Sequence, residues 1–191
     1  GSFPTLSAQT SDQLAPAVQE ELLAYEAGFK LPLAGRSLRL TGAAFYYDYK
    51  NKQLSGRIQT LFGQLQKLVN IPRSSVRGGE LQLSWVPVRG LSIDGGLTYL
   101  KTRIRNNPDG TPFQNFDQFG NVVALSGNAF PYTPKWQGNL NVQYDWALNS
   151  TLSAFVGSSL SYRSKTKGGL ENDARLVINS YTLTDIRAGI E

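Results

Sequence analysis

Cysteine and histidine are both absent from the 191 residues of this chain. The first absence excludes disulfides, thiol catalysis and thiolate metal sites. The second removes the commonest general base and the commonest metal ligand. A nucleophile would then need a Ser–Lys pair or paired carboxylates. Ser164-Lys165, and Asp48 near Lys50, offer nothing beyond ordinary loop composition. The chain is therefore expected not to be an enzyme and to need no cofactor. Long apolar runs are missing too: no stretch approaches the roughly 18 residues of a transmembrane helix. That leaves membrane barrels open, because barrel strands carry only a weak period-two signal. The net charge of +5 is spread along the chain. No block of Lys and Arg points to a nucleic-acid partner.

What the chain does have is alternation. From Lys135 to Trp146 every odd position is polar and every even one is apolar or glycine. Successive strand side chains point to opposite sides. Trp136, Gly138, Leu140, Val142, Tyr144 and Trp146 therefore share one face, with Gln137, Asn139, Asn141 and Gln143 on the other. The two tryptophans bracket the apolar face, and ten steps of ~3.3 Å put them roughly 33 Å apart. Tilted by ~40°, that projects to about 25 Å, the height of the apolar band on an outer-membrane barrel. A soluble sheet would share the alternation but has no reason to place aromatics at that separation.

The same pattern yields seven strand-like segments, at 22–31, 37–50, 75–86, 91–102, 135–146, 151–163 and 180–190. Short turns at 32–35, 87–90 and 147–150 alternate with long connections at 51–74, 103–133 and 164–179. All the long connections then fall at one end of the sheet, as extracellular loops do in outer-membrane barrels. Trp85, Tyr99, Trp136, Tyr144, Trp146 and Tyr162 are the expected membrane girdle. One stretch breaks the period. Ile58, Leu61, Phe62, Leu65, Leu68 and Val69 recur at threes and fours, which reads as a short helix inside a loop, weakened by Gly63. The first and last strands run the same way, and seven strands leave two bare edges that lipid does not tolerate. The expected fold is all-β, an arc of an antiparallel up-and-down transmembrane β-barrel with at least one strand missing before residue 22.

Five motifs, in order along the chain, resemble those of TonB-dependent outer-membrane receptors. Tyr25-Glu26-Ala27-Gly28-Phe29-Lys30 is similar to their "YE-x-G-x-K" strand, and the aromatic stretch Phe45-Tyr46-Tyr47-Asp48-Tyr49 to the strand that follows it. Gly78-Gly79-Glu80 resembles their "G-x-E" strand. Pro131-Tyr132-Thr133-Pro134-Lys135-Trp136 resembles their "P-x-x-P-K-W/H" entry. Tyr181-Thr182-Leu183-Thr184-Asp185-Ile186-Arg187-Ala188-Gly189 resembles their "Y-x-L-x-(D/N)-x-R-x-G" strand. The resemblance covers about residues 16–191. It implies a plugged barrel of about 22 strands in a Gram-negative outer membrane. Such receptors take up a scarce nutrient, first of all an iron–siderophore complex, otherwise cobalamin or a glycan, with energy from TonB. Residues 1–191 are then a partial barrel, with the plug domain, its TonB box and the final strands outside them. TonB would be a partner only through that plug. The other implied partners are outer-membrane lipid, lipopolysaccharide and a ligand such as a ferric siderophore.

Phe113, Phe116, Phe119, Phe130 and Tyr132 are the residues best suited to ligand contact. They are interleaved with Gln114, Asn115, Gln118 and Asn128 in one expected extracellular loop. Aromatic planes supply stacking area and amides supply orientation, which suits an aromatic siderophore or a sugar. The reading set against it, and favoured by the composition of such loops, is that these rings pack the loop against itself and its neighbours. Arg57, Lys67, Arg73 and Arg77 form a basic group that suits an anionic chelate, lipopolysaccharide phosphates or a plain solvated rim. Glu26, Arg39, Lys135, Asp145, Arg163 and Arg187 are expected to face the lumen. Asp109-Gly110 and Asn149-Ser150-Thr151 read as turns. No metal-ligand set is expected. Two other readings stay open. A general porin shares the barrel without a plug. A soluble β-barrel or sandwich binding module explains the alternation but not the two girdles.

Overall fold

A computed structural model describes residues 17–61, 63–117 and 119–191. Their main element is one antiparallel sheet of seven strands. It is built from β1 (Glu21–Leu33), β2 (Leu38–Thr60), β3 (Gly63–Trp85), β4 (Leu91–Ile104), β7 (Trp136–Ala147), β8 (Ser153–Arg163) and β11 (Tyr181–Ile190), in that order. Two small hairpins interrupt the meander: β5 (Gln114–Phe116) with β6 (Val122–Ala124), and β9 (Thr166–Lys167) with β10 (Val177–Ile178). The sheet is an open arc with β1 and β11 at its edges.

The period-two pattern sets the register. One row across the sheet runs Phe29, Gly42, Leu81, Leu97, Gly138, Tyr162, and the row beside it Lys30, Thr41, Gln82, Gly96, Asn139, Ser161. A slip of one residue in any pair would exchange the two faces. The apolar face is bare in this arc: Leu81, Leu97 and Leu140 are 43%, 46% and 42% exposed. So continuous an apolar surface needs lipid or another apolar phase against it. At Gly42 the ring of Phe29 lies where a Cβ would stand, 2.6 Å from Cε1. The glycine is what lets that ring lie flat on the wall.

Two sequence expectations are corrected here. The connection expected at 51–74 is mostly strand, with β2 and β3 paired from Leu38↔Trp85 to Thr60↔Gly63. The short helix expected there is a β-hairpin. The threes-and-fours spacing came from an alternating strand folded back on its partner, with Leu54↔Val69 and Ile58↔Leu65 as cross-strand pairs. Gly63 adopts φ 97°, the positive region that a tight turn needs. Leu61 stands fully exposed at the tip; Phe62 lies outside the described residues.

The extended hairpin also switches faces. Ser74 and Ile71 are three apart, yet both are fully buried on the side of Ile104. Regular alternation would put them on opposite faces. The switch falls at Asn51, φ 53°, opposite Pro72. Asparagine tolerates the left-handed region and proline has no N–H to give the ladder. Beyond the switch the hairpin presents Leu54 and Ile71 to the loops. The buried cluster Ile71, Ile104, Leu125, Phe130 and Leu170 forms there, at the end of the sheet.

Candidate functional site

The β2–β3 hairpin projects past the other strands, and the segments at 105–135 and 164–180 pack against it. Backbone bonds tie them down: Ile104 N–H to Asn128 O at 2.8 Å, Leu125 N–H to Phe113 O at 2.8 Å, and Tyr132 N–H to Lys167 O at 2.8 Å. The Asn128 side-chain amide donates to Leu170 O at 2.9 Å. A cavity of about 400 Å³ remains between hairpin and loops, with Leu54, Arg57, Asn115, Phe116, Tyr132 and Glu171 on its walls and Gly168 and Gly169 beside them.

Its polar side is prearranged. The Arg57 guanidinium meets the Glu171 carboxylate at 3.1 Å, and Glu171 is 7% exposed. The Arg57 backbone N–H donates to Asn115 Oδ1 at 3.0 Å. A Cβ at Gly56 would stand 3.3 Å from Asn115 Nδ2 and 2.5 Å from a Val69 methyl, so this glycine makes room for the amide. Arg57 is thus neutralised and oriented, one donor fork in a wall of rings, amides and glycine. Such a wall can stack an aromatic group and orient it by hydrogen bonds.

A second cavity of about 590 Å³ lies alongside, lined by Lys101, Lys135, Lys165 and Lys167 with Phe130 and Trp136, and by no Asp or Glu. Four ammonium groups without a countercharge hold its potential positive. The concave face of the sheet forms a third hollow of about 610 Å³ with polar walls, among them Arg39, Glu80, Asp94, Asn139 and Arg163. Among the described residues no group of three Asp or Glu is placed to hold a metal ion.

The five aromatics singled out from the sequence separate. Phe116 and Tyr132 line the 400 Å³ cavity. Phe130 is buried in the apolar cluster and Phe113 packs against it. Phe119 is exposed, its ring 4.5 Å from the Arg175 guanidinium. Gln118 lies outside the described residues. The turn carrying Phe119 is closed by Asp117, whose carboxylate accepts from the Asn121 side chain at 3.0 Å and from the backbone N–H of Asn121 and Phe119. The Asn121 amide, with those N–H groups, holds the Asp117 carboxyl below the usual carboxylate range. The basic group does not gather either: Arg57 turns inward to Glu171, whereas Arg73 and Arg77 are exposed on the wall. Glu171 and the glycine pair beside it were not foreseen. A lone carboxylate in a loop of 16 residues carries no periodic signal.

The aromatics expected as a girdle stand on the apolar face towards its two ends. Tyr99 and Trp136 meet with ring centroids 4.7 Å apart, and Tyr25 and Tyr46 at 6.5 Å mark the same end. Tyr144 and Trp146 stack at 5.6 Å towards the other end, where Trp85 also lies. Tyr162 pairs with Gly138 near Trp136.

This wall and its loop cluster have close counterparts. The family model for the TonB-dependent receptor-like β-barrel matches residues 3–191. The siderophore receptor PiuA from Acinetobacter baumannii superposes with a TM-score of 0.65 at 25% identity, over 88% of this chain and 22% of its own. The ferric yersiniabactin uptake receptor FyuA from Yersinia pestis gives 0.66 at 20% identity, over 89% and 22%. The copper transporter OprC gives 0.64 at 14% identity, over 94% and 24%. The chain thus spans less than a quarter of these structures. No curated protein sequence matches it. The matched proteins are receptors and transporters, not enzymes. By its strand order, its faces and a family match across nearly its whole length, the chain belongs to the TonB-dependent receptor β-barrel family.

Proposed function

We propose that the chain is a stretch of wall and loops from an outer-membrane receptor that takes up a ferric siderophore with energy delivered through TonB. One pairing carries the reading: the segments at 125–136 and 164–177 line both an aromatic and amide cavity and a four-lysine cavity that has no carboxylate. A ferric siderophore with aromatic chelating arms is a flat-sided, often anionic complex. Rings at Phe116 and Tyr132 suit its arms, and the lysines suit its charge. PiuA, the relative at 25% identity, is a siderophore receptor.

The test uses the complete receptor in cells and in detergent. Uptake of radioactive iron from ferric catecholate siderophores should require both the receptor and TonB. Uptake that persists without TonB would overturn the energised mechanism. Replacing Phe116 and Tyr132 together by Ala should weaken binding of the purified receptor about 30-fold, at roughly 1 kcal/mol per ring. Replacing Phe116 and Phe119 should cost less, because Phe119 already faces Arg175. Unchanged affinity in both double variants would remove the site. Binding of cobalamin or an oligosaccharide in place of every ferric complex would change the cargo.

A further inference from the structure

Residues 17–20, which lead into β1, are held by side chains of the β2–β3 hairpin and not by the strand ladder. Gln53 and Asn70 stand directly opposite each other there, just past the bend at Asn51. The Val18 backbone N–H donates to Asn70 Oδ1 at 2.9 Å, and Asn70 Nδ2 donates back to Val18 O at 2.8 Å. Gln53 Nε2 donates to the same carbonyl at 3.0 Å. Asn70 Nδ2 also reaches Asn51 O at 2.7 Å. A carboxamide carries an acceptor and donors side by side, so it can grip both polar backbone groups of one residue. The Val18 side chain itself is 60% exposed, while Ala17 before it is buried.

The held segment reaches the loop cluster through two charges. The Glu20 carboxylate accepts from the Gln53 backbone N–H at 3.0 Å and lies 3.9 Å from the Lys52 ammonium. That ammonium sits 4.2 Å from the centre of the Tyr49 ring and 5.9 Å from that of Phe130. The Lys52 side chain is 19% exposed, so its charge depends on that carboxylate and those rings. Phe130 lines the four-lysine cavity, and it packs with Leu125 and Leu170, which line the 400 Å³ cavity.

We propose that residues 17–20 are a strap that regulates the two cavities. The Gln53–Asn70 amide pair clamps its main chain, and Glu20 and Lys52 pass its position on to the Phe130 wall. A strap held in this way detaches without opening the sheet, because β1 pairs with β2 only from Glu21↔Lys50 onward. Docked, it fixes Lys52 against Phe130. Released, it takes Glu20 away from Lys52 and loosens the wall. Docking of the strap and binding of cargo therefore favour each other, and by linkage each does so by the same factor. The coupling rests on the proposed cargo; the clamp rests only on its hydrogen bonds.

The complete receptor in detergent would be followed by hydrogen exchange at the Gln53 amide, which donates to Glu20 when the strap is docked. Its protection should fall about 25-fold in N70A, at roughly fivefold for each of the two bonds lost to Val18. V18P removes the N–H that Asn70 accepts and should also release the strap, whereas V18A should behave as the native protein. The double variant N70A/V18P should be no worse than N70A, because both changes break one contact. Heat-modifiable migration checks that each variant is folded. Losses that add up in the double variant, or native protection in V18P, would overturn the clamp. A ferric catecholate siderophore should raise Gln53 protection about fivefold in the native receptor but not in N70A, and should bind N70A about fivefold more weakly. Bound cargo that leaves the amide unchanged would overturn the coupling. A native receptor that binds no ferric complex would overturn the cargo reading and the coupling with it, whereas the exchange results decide the clamp on their own.

Discussion

Single residues fix how rigid the loop cluster is. Arg57 holds the cavity wall together because, among the described residues, it alone forms an ion pair with the buried Glu171 carboxylate. Arg57→Ala should leave that charge unpaired and cost about 2–3 kcal/mol of local stability. Native-state hydrogen exchange should show it as lost protection at the residue 57 amide, which donates to Asn115. Asp117 sets a pH dependence. Its carboxyl titrates lower in the folded turn than in an open chain, where the ordinary value is 3.8. The stability it adds is therefore present above that value and lost as pH falls below it. Protection factors for amide exchange at Phe119 and Asn121, corrected for the intrinsic pH dependence, should be flat from pH 5 to 8 and fall in acid, with the acid step absent in Asp117→Asn. The Asp117 turn was hidden in the sequence, because Asp, Asn and Gly are common in any loop and only closure reveals which carbonyl and amide meet.

Elements were legible where their period was simple. Five of the seven main strands lie close to where alternation puts them, since one face must be apolar along the whole membrane span. The failure came at β2 and β3, which run on to the tip of their hairpin. Alternation there is masked by the face switch at Asn51 and Pro72, so leucines fall at helical spacing on two antiparallel strands. The switch is testable. Asn51→Val forces a β-branched residue to φ 53° and should cost about 1–2 kcal/mol. Proteolysis should then cut the hairpin between 52 and 71 faster, while heat-modifiable migration shows an unchanged barrel. Equal cutting in both proteins would mean that the bend is not held by Asn51.

The molecule as a whole is an unclosed wall. Every residue of β1 is exposed, as is nearly all of β11, and their outward edges present unpaired backbone groups. Residues 1–191 produced alone should therefore aggregate in buffer and show no heat-modifiable band in detergent. Co-production with the remaining segments of a complete receptor should restore that band. A monodisperse, detergent-free fragment would contradict the lipid-facing assignment. Local pattern alone fixed the strand period, the two faces, the three short turns and the family, because each survives without tertiary contacts, whereas the long connection expected at 51–74 did not survive. Only the tertiary structure decided which loop aromatics line a cavity and which become core. Phe113, Phe116, Phe119 and Phe130 are the same residue in one loop. Their different fates follow from where the β2–β3 hairpin and the segment at 164–180 come to lie, and no local pattern encodes a meeting between segments more than 100 residues apart, as Arg57 and Glu171 are.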